Sequence, residues 1–186
     1  MFEEIKKVGI DLDNTLSELN PTLKMLSEYY NKPIMTIEDV KDYNLSSIYG
    51  VNHEESREFW SEVEHEICEK SELATLRFES IYSNFVQKDT KVYIITNRHE
   101  KYREITENWL KINAIPYDKL VMTSGKSKIP ILKGLNIDWM IDDKPHLFHE
   151  VVEKNVKTKM VCVDYEYNKG VPCHIRMTRE GEILYV

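Results

Sequence analysis

Four short segments hold the residues that could do chemistry. Asp11-Leu12-Asp13 follows the apolar run Val8-Gly9-Ile10, and Thr96-Asn97 follows Val92-Tyr93-Ile94-Ile95. Asp142-Asp143 follows Trp139-Met140-Ile141, and Lys128 stands just before a short helical stretch. Gathered in one place, these would bring together several carboxylates, a hydroxyl and an ammonium. Carboxylates so close cannot all stay ionised without a cation. A hard divalent ion with oxygen ligands, Mg²⁺ first, answers that need. Its candidate ligands are Asp11, Asp13, Asp142 and Asp143. A carboxylate is a weak nucleophile, but a phosphoryl group flanked by a divalent ion and an ammonium is an activated electrophile. Asp11 would attack it and become an aspartyl phosphate. Asp13 would protonate the leaving oxygen, then deprotonate the water that hydrolyses the intermediate. Thr96, Asn97 and Lys128 would hold the phosphoryl oxygens, helped by backbone N–H groups around Leu12 to Asn14.

The elements that must position these residues alternate. Short apolar runs at 8–10, 91–95, 120–122, 139–141 and 158–163 read as strands, too short and too sharply ended for helices. Residues 183–186 read as an edge strand. Helical spacing runs from about 53 to 70 (Phe59, Val63, Ile67), 73 to 87, through Tyr102, Ile105 and Trp109, and from 128 to 135. A further helix carries Leu19, Leu23, Leu26 and Tyr30, with Asn20 expected as its cap and Pro21 in its first turn. Residues 31–49 read as irregular, with Pro33 and the Asn44-Leu45-Ser46-Ser47 cluster. Alternation of this kind predicts an α/β fold, a three-layer parallel sheet with helices on both faces. The stretch 16–89 is too long for one crossover and reads as an inserted helical cap. The core would then be 1–15 and 90–186. Ligands of such sheets bind beyond the carboxyl ends of the strands, where the polar residues named above fall.

Ile10-Asp11-Leu12-Asp13-Asn14-Thr15 resembles the first motif of haloacid dehalogenase-type phosphatases, an apolar strand followed by DxDx[TV]. Ile94-Ile95-Thr96-Asn97 resembles the second motif, Lys128 the third, and Met140-Ile141-Asp142-Asp143 the fourth. All stand in order, and the likeness covers essentially the whole chain, the helical stretch matching the family's cap. It implies a Rossmann-like core, Mg²⁺ dependence and phosphomonoester hydrolysis through a phospho-aspartate. By motif alignment Asp143 would be the direct metal ligand, with Asp142 behind it or sharing the role; the reverse assignment is the alternative. A narrower likeness, carried by 127–133, 137–145 and Asp164-Tyr165-Glu166-Tyr167-Asn168, is to the cytosolic 5′(3′)-deoxyribonucleotidase type and its bacterial relatives. It implies nucleoside monophosphates, deoxy forms first. The sequence departs from the vertebrate enzymes at Arg98-His99, and no residue of the helical stretch matches their base pocket.

Rival readings are open at several positions. Lys128 is preferred to Lys126 because it directly precedes the helix. Gly125-Lys126-Ser127 is not a phosphate loop, since Leu120 stands where that motif needs glycine. Arg98 and His99 would touch phosphate or lie on the surface, and Tyr167 and Asn168 would border the site or shape a turn. Phe59 and Trp60 read as cap core, and His53 and His65 as solvated.

The net charge of −7, with 31% charged and 41% hydrophobic residues, fits a soluble globular chain. It argues against a broad cationic footprint for nucleic acid. The expected partner is therefore a small phosphomonoester, not a nucleic acid polymer or a membrane. Cys68, Cys162 and Cys173 form no disulfide framework or zinc knuckle and read as reduced thiols. No run approaches the roughly 20 apolar residues of a membrane span, and Met1–Lys7 lacks signal-peptide character, so a cytoplasmic protein is expected. A module of this fold that binds but does not catalyse is the rival class; the presence of Asp13 argues against it.

Overall fold

The computed structural model describes residues 4–185, with the side chains of Ser46 and His53 outside the description. In chain order the elements are β1 (Lys7–Ile10), α1 (Asn20–Tyr29), α2 (Leu45–Ile48), α3 (His53–Lys70), α4 (Thr75–Phe85), β2 (Lys91–Thr96), α5 (Arg103–Ile112), β3 (Lys119–Met122), α6 (Ile129–Leu135), β4 (Trp139–Asp142), α7 (Pro145–Glu153), β5 (Lys159–Val163), β6 (Ile175–Met177) and β7 (Ile183–Tyr185). The strands form one seven-stranded sheet in the order β3-β2-β1-β4-β5-β6-β7. Pairing is parallel from β3 through β6, and β7 runs antiparallel to β6.

The three layers follow from period-two alternation along the buried strands. Ile94, Ile141 and Val161 join one apolar cluster with Ile81, Phe85, Trp109 and Leu110 of α4 and α5. Ile95, Met140, Met160 and Cys162 face the other way, toward Ile129 and Leu132 of α6 and Leu147, Phe148 and Val151 of α7. Gly9 lets β1 pack closely: a Cβ there would stand 2.7 Å from Met140 Sδ and 3.0 Å from Ile95 Cδ1, so those side chains would have to shift. The three-layer α/β expectation is borne out.

Between β1 and β2 lie four helices. Asn52 caps α3 by accepting from the Glu54 and Glu55 N–H groups at 2.9 and 3.0 Å, and Glu55 accepts in return from the Asn52 N–H. One face of α3 buries Phe59 and Ile67, and the helix packs on α1 and α5. Trp109 of α5 donates its indole N–H to the Ser71 carbonyl just past the end of α3. By contrast α4 meets the sheet, with Phe85 5.6 Å from Trp139 of β4.

Some local expectations change and others hold. Asn20 is the first residue of α1 and makes no side-chain cap; Leu19 holds the cap position and Pro21 falls in the first turn. The stretch 31–49 contains a short 3₁₀ turn at Ile37–Asp39 and the one-turn α2. The strand β6 was not anticipated, because three residues are too few to show a period. The expected edge strand is β7, with Val186 outside the described residues. Among the described residues no helix is long and apolar enough to cross a membrane, and Cys68, Cys162 and Cys173 are free thiols.

Candidate active site

Strand register places the first candidates. Ile10 of β1 pairs with Ile94 of β2 on one side and Ile141 of β4 on the other. Asp11 therefore emerges level with Asp142, and its N–H donates to the Ile141 carbonyl at 3.0 Å. The chain leaves β1 toward β2 on one side and has β4 on its other flank, so β1 is the switch point at which a crevice opens beyond the strand ends. Leu12, fully buried, anchors the turn between the two aspartates. Asn14 then adopts φ 61°, a left-handed conformation that asparagine tolerates better than most residues. The turn closes as the N–H groups of Thr15, Leu16 and Ser17 all donate to the Leu12 carbonyl.

Lys128, immediately before α6 and 3% exposed, donates its ammonium to Asp11 Oδ1 at 2.5 Å and to Asp142 Oδ2 at 2.7 Å. Asp142 Oδ1 accepts from the Lys144 N–H at 2.9 Å. Asp143, also buried, accepts through Oδ2 from the Tyr167 hydroxyl at 2.5 Å and the Asn14 amide at 3.3 Å. Asn168 donates to the backbone carbonyls of Asp143 and Val163, which fixes the turn holding Tyr167. Lys126, in contrast, is exposed.

One carboxylate oxygen each from Asp11, Asp142 and Asp143 lies within 4.8 Å of the others. Burial drives the Asp11 carboxyl well above its ordinary value; Lys128 opposes this, while Asp142 and Asp143 reinforce it. Burial, and then Asp142, push Asp143 up to about 7. Burial pulls Lys128 down, but Asp11 and Asp142 more than offset it and raise its ammonium above the usual value. Three carboxylates against one ammonium leave this space short of positive charge. A divalent cation with oxygen ligands relieves that conflict, so the residues fit one. Both hydrogen bonds to the Asp143 carboxylate fall on Oδ2, and the Lys128 contact of Asp11 falls on Oδ1. Each thus keeps one oxygen without a hydrogen bond among the described residues, whereas both oxygens of Asp142 are engaged.

Asp13 stands outside that trio. Its side chain, 41% exposed, accepts a forked pair of hydrogen bonds from Arg98, with Nη2 to Oδ1 at 2.7 Å and Nε to Oδ2 at 3.0 Å. Thr96, fully buried at the end of β2, accepts from the Arg98 N–H through its hydroxyl at 3.2 Å. Asn97 accepts from the Thr123 hydroxyl at 3.2 Å. Beyond these groups opens a cavity of about 220 Å³ between the sheet edge and the helical block. Asp13, Asn97 and Arg98 form its floor; Trp60 and Glu64 of α3 and Leu45 of α2 wall it. Phe59 is core as expected, but Trp60 borders this cavity. His65 is exposed, whereas the side chain of His53 lies outside the described residues.

Arg98, which the sequence leaves open between surface and phosphate, is buried against Asp13. Arg77 was not anticipated. That side chain, 0% exposed, donates to the carbonyls of Thr15, Ser17 and Arg179 and pins the segment after Asp13. Tyr167 and Asn168 do border the site, and the narrower likeness around 164–168 was their signal.

Fold and motif order together resemble those of haloacid dehalogenase-type hydrolases. No family model matches the chain. A proposed nucleotidase of Halalkalibacterium halodurans is 26% identical over 164 residues, which is 88% of this chain and 82% of that protein. A nucleotidase of Clostridium acetobutylicum is 24% identical over 162 residues, 87% of this chain and 82% of its own. Among solved structures, a haloacid dehalogenase-superfamily hydrolase of Geobacter sulfurreducens superposes with a TM-score of 0.57 at 12% identity, covering 93% of this chain and 91% of that one. The resemblance read from the four motifs is borne out by these relatives, and with it the reading of the chain as an enzyme of phosphatase type.

Proposed function

We propose that the protein hydrolyses phosphomonoesters through phosphorylation of Asp11, with nucleoside monophosphates, deoxy forms first, as its substrates. The observation that carries the mechanism is the buried trio Asp11, Asp142 and Asp143 around Lys128, beside a cavity whose floor presents Asp13. The nucleotide preference rests on the nucleotidase relatives and on a cavity lined by Tyr43, Trp60 and Tyr167, whose rings could face a base.

Asp11 and Asp143 would hold Mg²⁺, with Asp142 behind them. When bound, the ion neutralises phosphoryl charge and orients the group for in-line attack. Lys128 keeps Asp11 oriented and stands ready to share a phosphoryl oxygen. Asp11 supplies an oxygen to phosphorus as the bond to the leaving oxygen breaks, and Asp13 gives that oxygen its proton. Water then attacks the same phosphorus, Asp13 takes the water proton, and Asp11 departs as a free carboxylate. Thr96 and Asn97 border the phosphoryl position. Within the stretch 16–89, α4 packs on the sheet, and the helices α1 to α3 act as a cap that limits bulk water and reads the leaving group.

The test is phosphate release with Mg²⁺ from nucleoside monophosphates, ribo and deoxy, 5′ and 3′, beside sugar phosphates, with Asp11→Asn as control. Preference for deoxynucleotides that the variant loses supports both mechanism and substrate. Activity on sugar phosphates alone retains the mechanism and discards the substrate.

A further inference from the structure

We propose that Arg98 is the positioning residue of the hydrolytic half-reaction: it holds Asp13 as the carboxylate that accepts the water proton, and it ties that placement to the helical block. This rests on the phosphatase reading above. The guanidinium is 4% exposed and engages partners on two sides. Toward the site, Nε and Nη2 fork onto the Asp13 carboxylate at 3.0 and 2.7 Å. Away from it, Nη1 donates to the Cys68 carbonyl and to the Thr106 hydroxyl, both at 3.3 Å. Cys68 lies in the last turn of α3, where carbonyls lack intrahelical partners and the helix end favours a cation. One buried side chain thus reads the position of the helical block and of Asp13 together.

The fork matters because a guanidinium fixes a carboxylate in plane, which a lysine ammonium cannot do. In hydrolysis the water oxygen bonds to phosphorus while the bond from phosphorus to the Asp11 oxygen breaks. One water proton passes to Asp13, and Asp11 regains its carboxylate. An Asp13 already held beside the cavity does not have to be ordered at that moment. A direct phosphate-binding role fits the geometry less well, since Nε, Nη1 and Nη2 all have protein partners.

Stopped-flow turnover of p-nitrophenyl phosphate with Mg²⁺ tests this, because its leaving group departs without a proton. The first nitrophenol released reports phosphorylation of Asp11, and the steady state reports hydrolysis. In Arg98→Gln the ratio of the first rate to the steady rate should rise about 100-fold over the unaltered protein, the scale of general-base catalysis. Arg98→Lys should recover only part of the loss. Thr106→Val loosens Arg98 from its far side and should shift the same ratio by less; it carries the test if Arg98→Gln loses its cooperative melting transition. Equal losses in both phases mark a structural role and overturn the proposal, as does a rise in KM with kcat intact. Nitrophenol release by the unaltered protein no faster than by Asp11→Asn overturns the phosphatase reading and this proposal with it.

Discussion

Lys128 and Asp11 stand 117 positions apart in the chain and meet in a buried ion pair at 2.5 Å, with Asp142 closing the other side of the ammonium at 2.7 Å. Of the two candidate lysines, Lys128 is the one buried in this pair, and Lys126 lies exposed two residues earlier. Lys128→Ala should lower turnover about 100- to 1000-fold, the cost of losing one aimed charge-stabilising donor. Lys126→Ala should change it by less than about tenfold on the same scale. Steady-state kinetics of the two purified variants make the comparison, and the reverse ranking would move the phosphoryl cation to Lys126.

Acid linkage gives a second prediction. In the metal-free protein Asp143 is raised to about 7 and Asp11 is raised as well, burial being the leading cause for both. The native state then holds protons that the unfolded chain releases near pH 4. Unfolding stability should therefore fall as pH rises from about 4 toward 7 through these two groups. Mg²⁺ displaces those protons, so its stabilising effect should grow over the same window. Thermal melts at pH 5 and pH 7.5, with Mg²⁺ or with chelator, measure it. A larger Mg²⁺ shift at pH 5 than at pH 7.5 would contradict the assignment, and Asp143→Asn should flatten the difference.

Tyr167 tests the support around that carboxylate. Its hydroxyl donates to Asp143 Oδ2, and its ring stacks on Tyr165 at 5.0 Å. Tyr167→Phe keeps the stack and removes the donor. Mg²⁺ affinity should weaken about 10- to 100-fold, the usual cost of losing an outer hydrogen bond to a metal ligand. Calorimetric titration of Mg²⁺ would show it, and an unchanged affinity would separate Asp143 from the metal.

Much of the site was legible because each strand ends where an apolar run meets Asp or Thr. Parallel register then carries those ends to one edge. The burial of Arg98 and Arg77 was not legible, since their partners are a distant aspartate and backbone carbonyls, which leave no periodic trace. Nor was β6, whose Ile175 and Met177 are buried around a single, mostly buried arginine. The cap at Asn20 failed for a local reason: Pro21 fixes the first turn whether or not Asn20 caps it. The wall of the cavity beside Asp13 is assembled from separate helices and the sheet edge, so no single motif announces it.

Arg77 supplies a stability prediction. Arg77→Met keeps most of the volume but strips donors from the carbonyls of Thr15, Ser17 and Arg179. It should cost about 3 kcal/mol or more, given the desolvation penalty of unpaired buried groups. Urea unfolding monitored by tryptophan fluorescence measures the loss. A change under about 1 kcal/mol would mean that water replaces the guanidinium without penalty.

In the proposed reaction Asp11 carries the phosphoryl group. Rapid acid quench of the protein turning over a phosphomonoester, followed by borohydride reduction and peptide mass spectrometry, addresses it directly. An acyl phosphate at Asp11 is reduced to homoserine, so that conversion is expected at Asp11, dependent on substrate and on Mg²⁺. Substrate turnover with Asp11 unmodified, or reduction at Asp13 in its place, would contradict it.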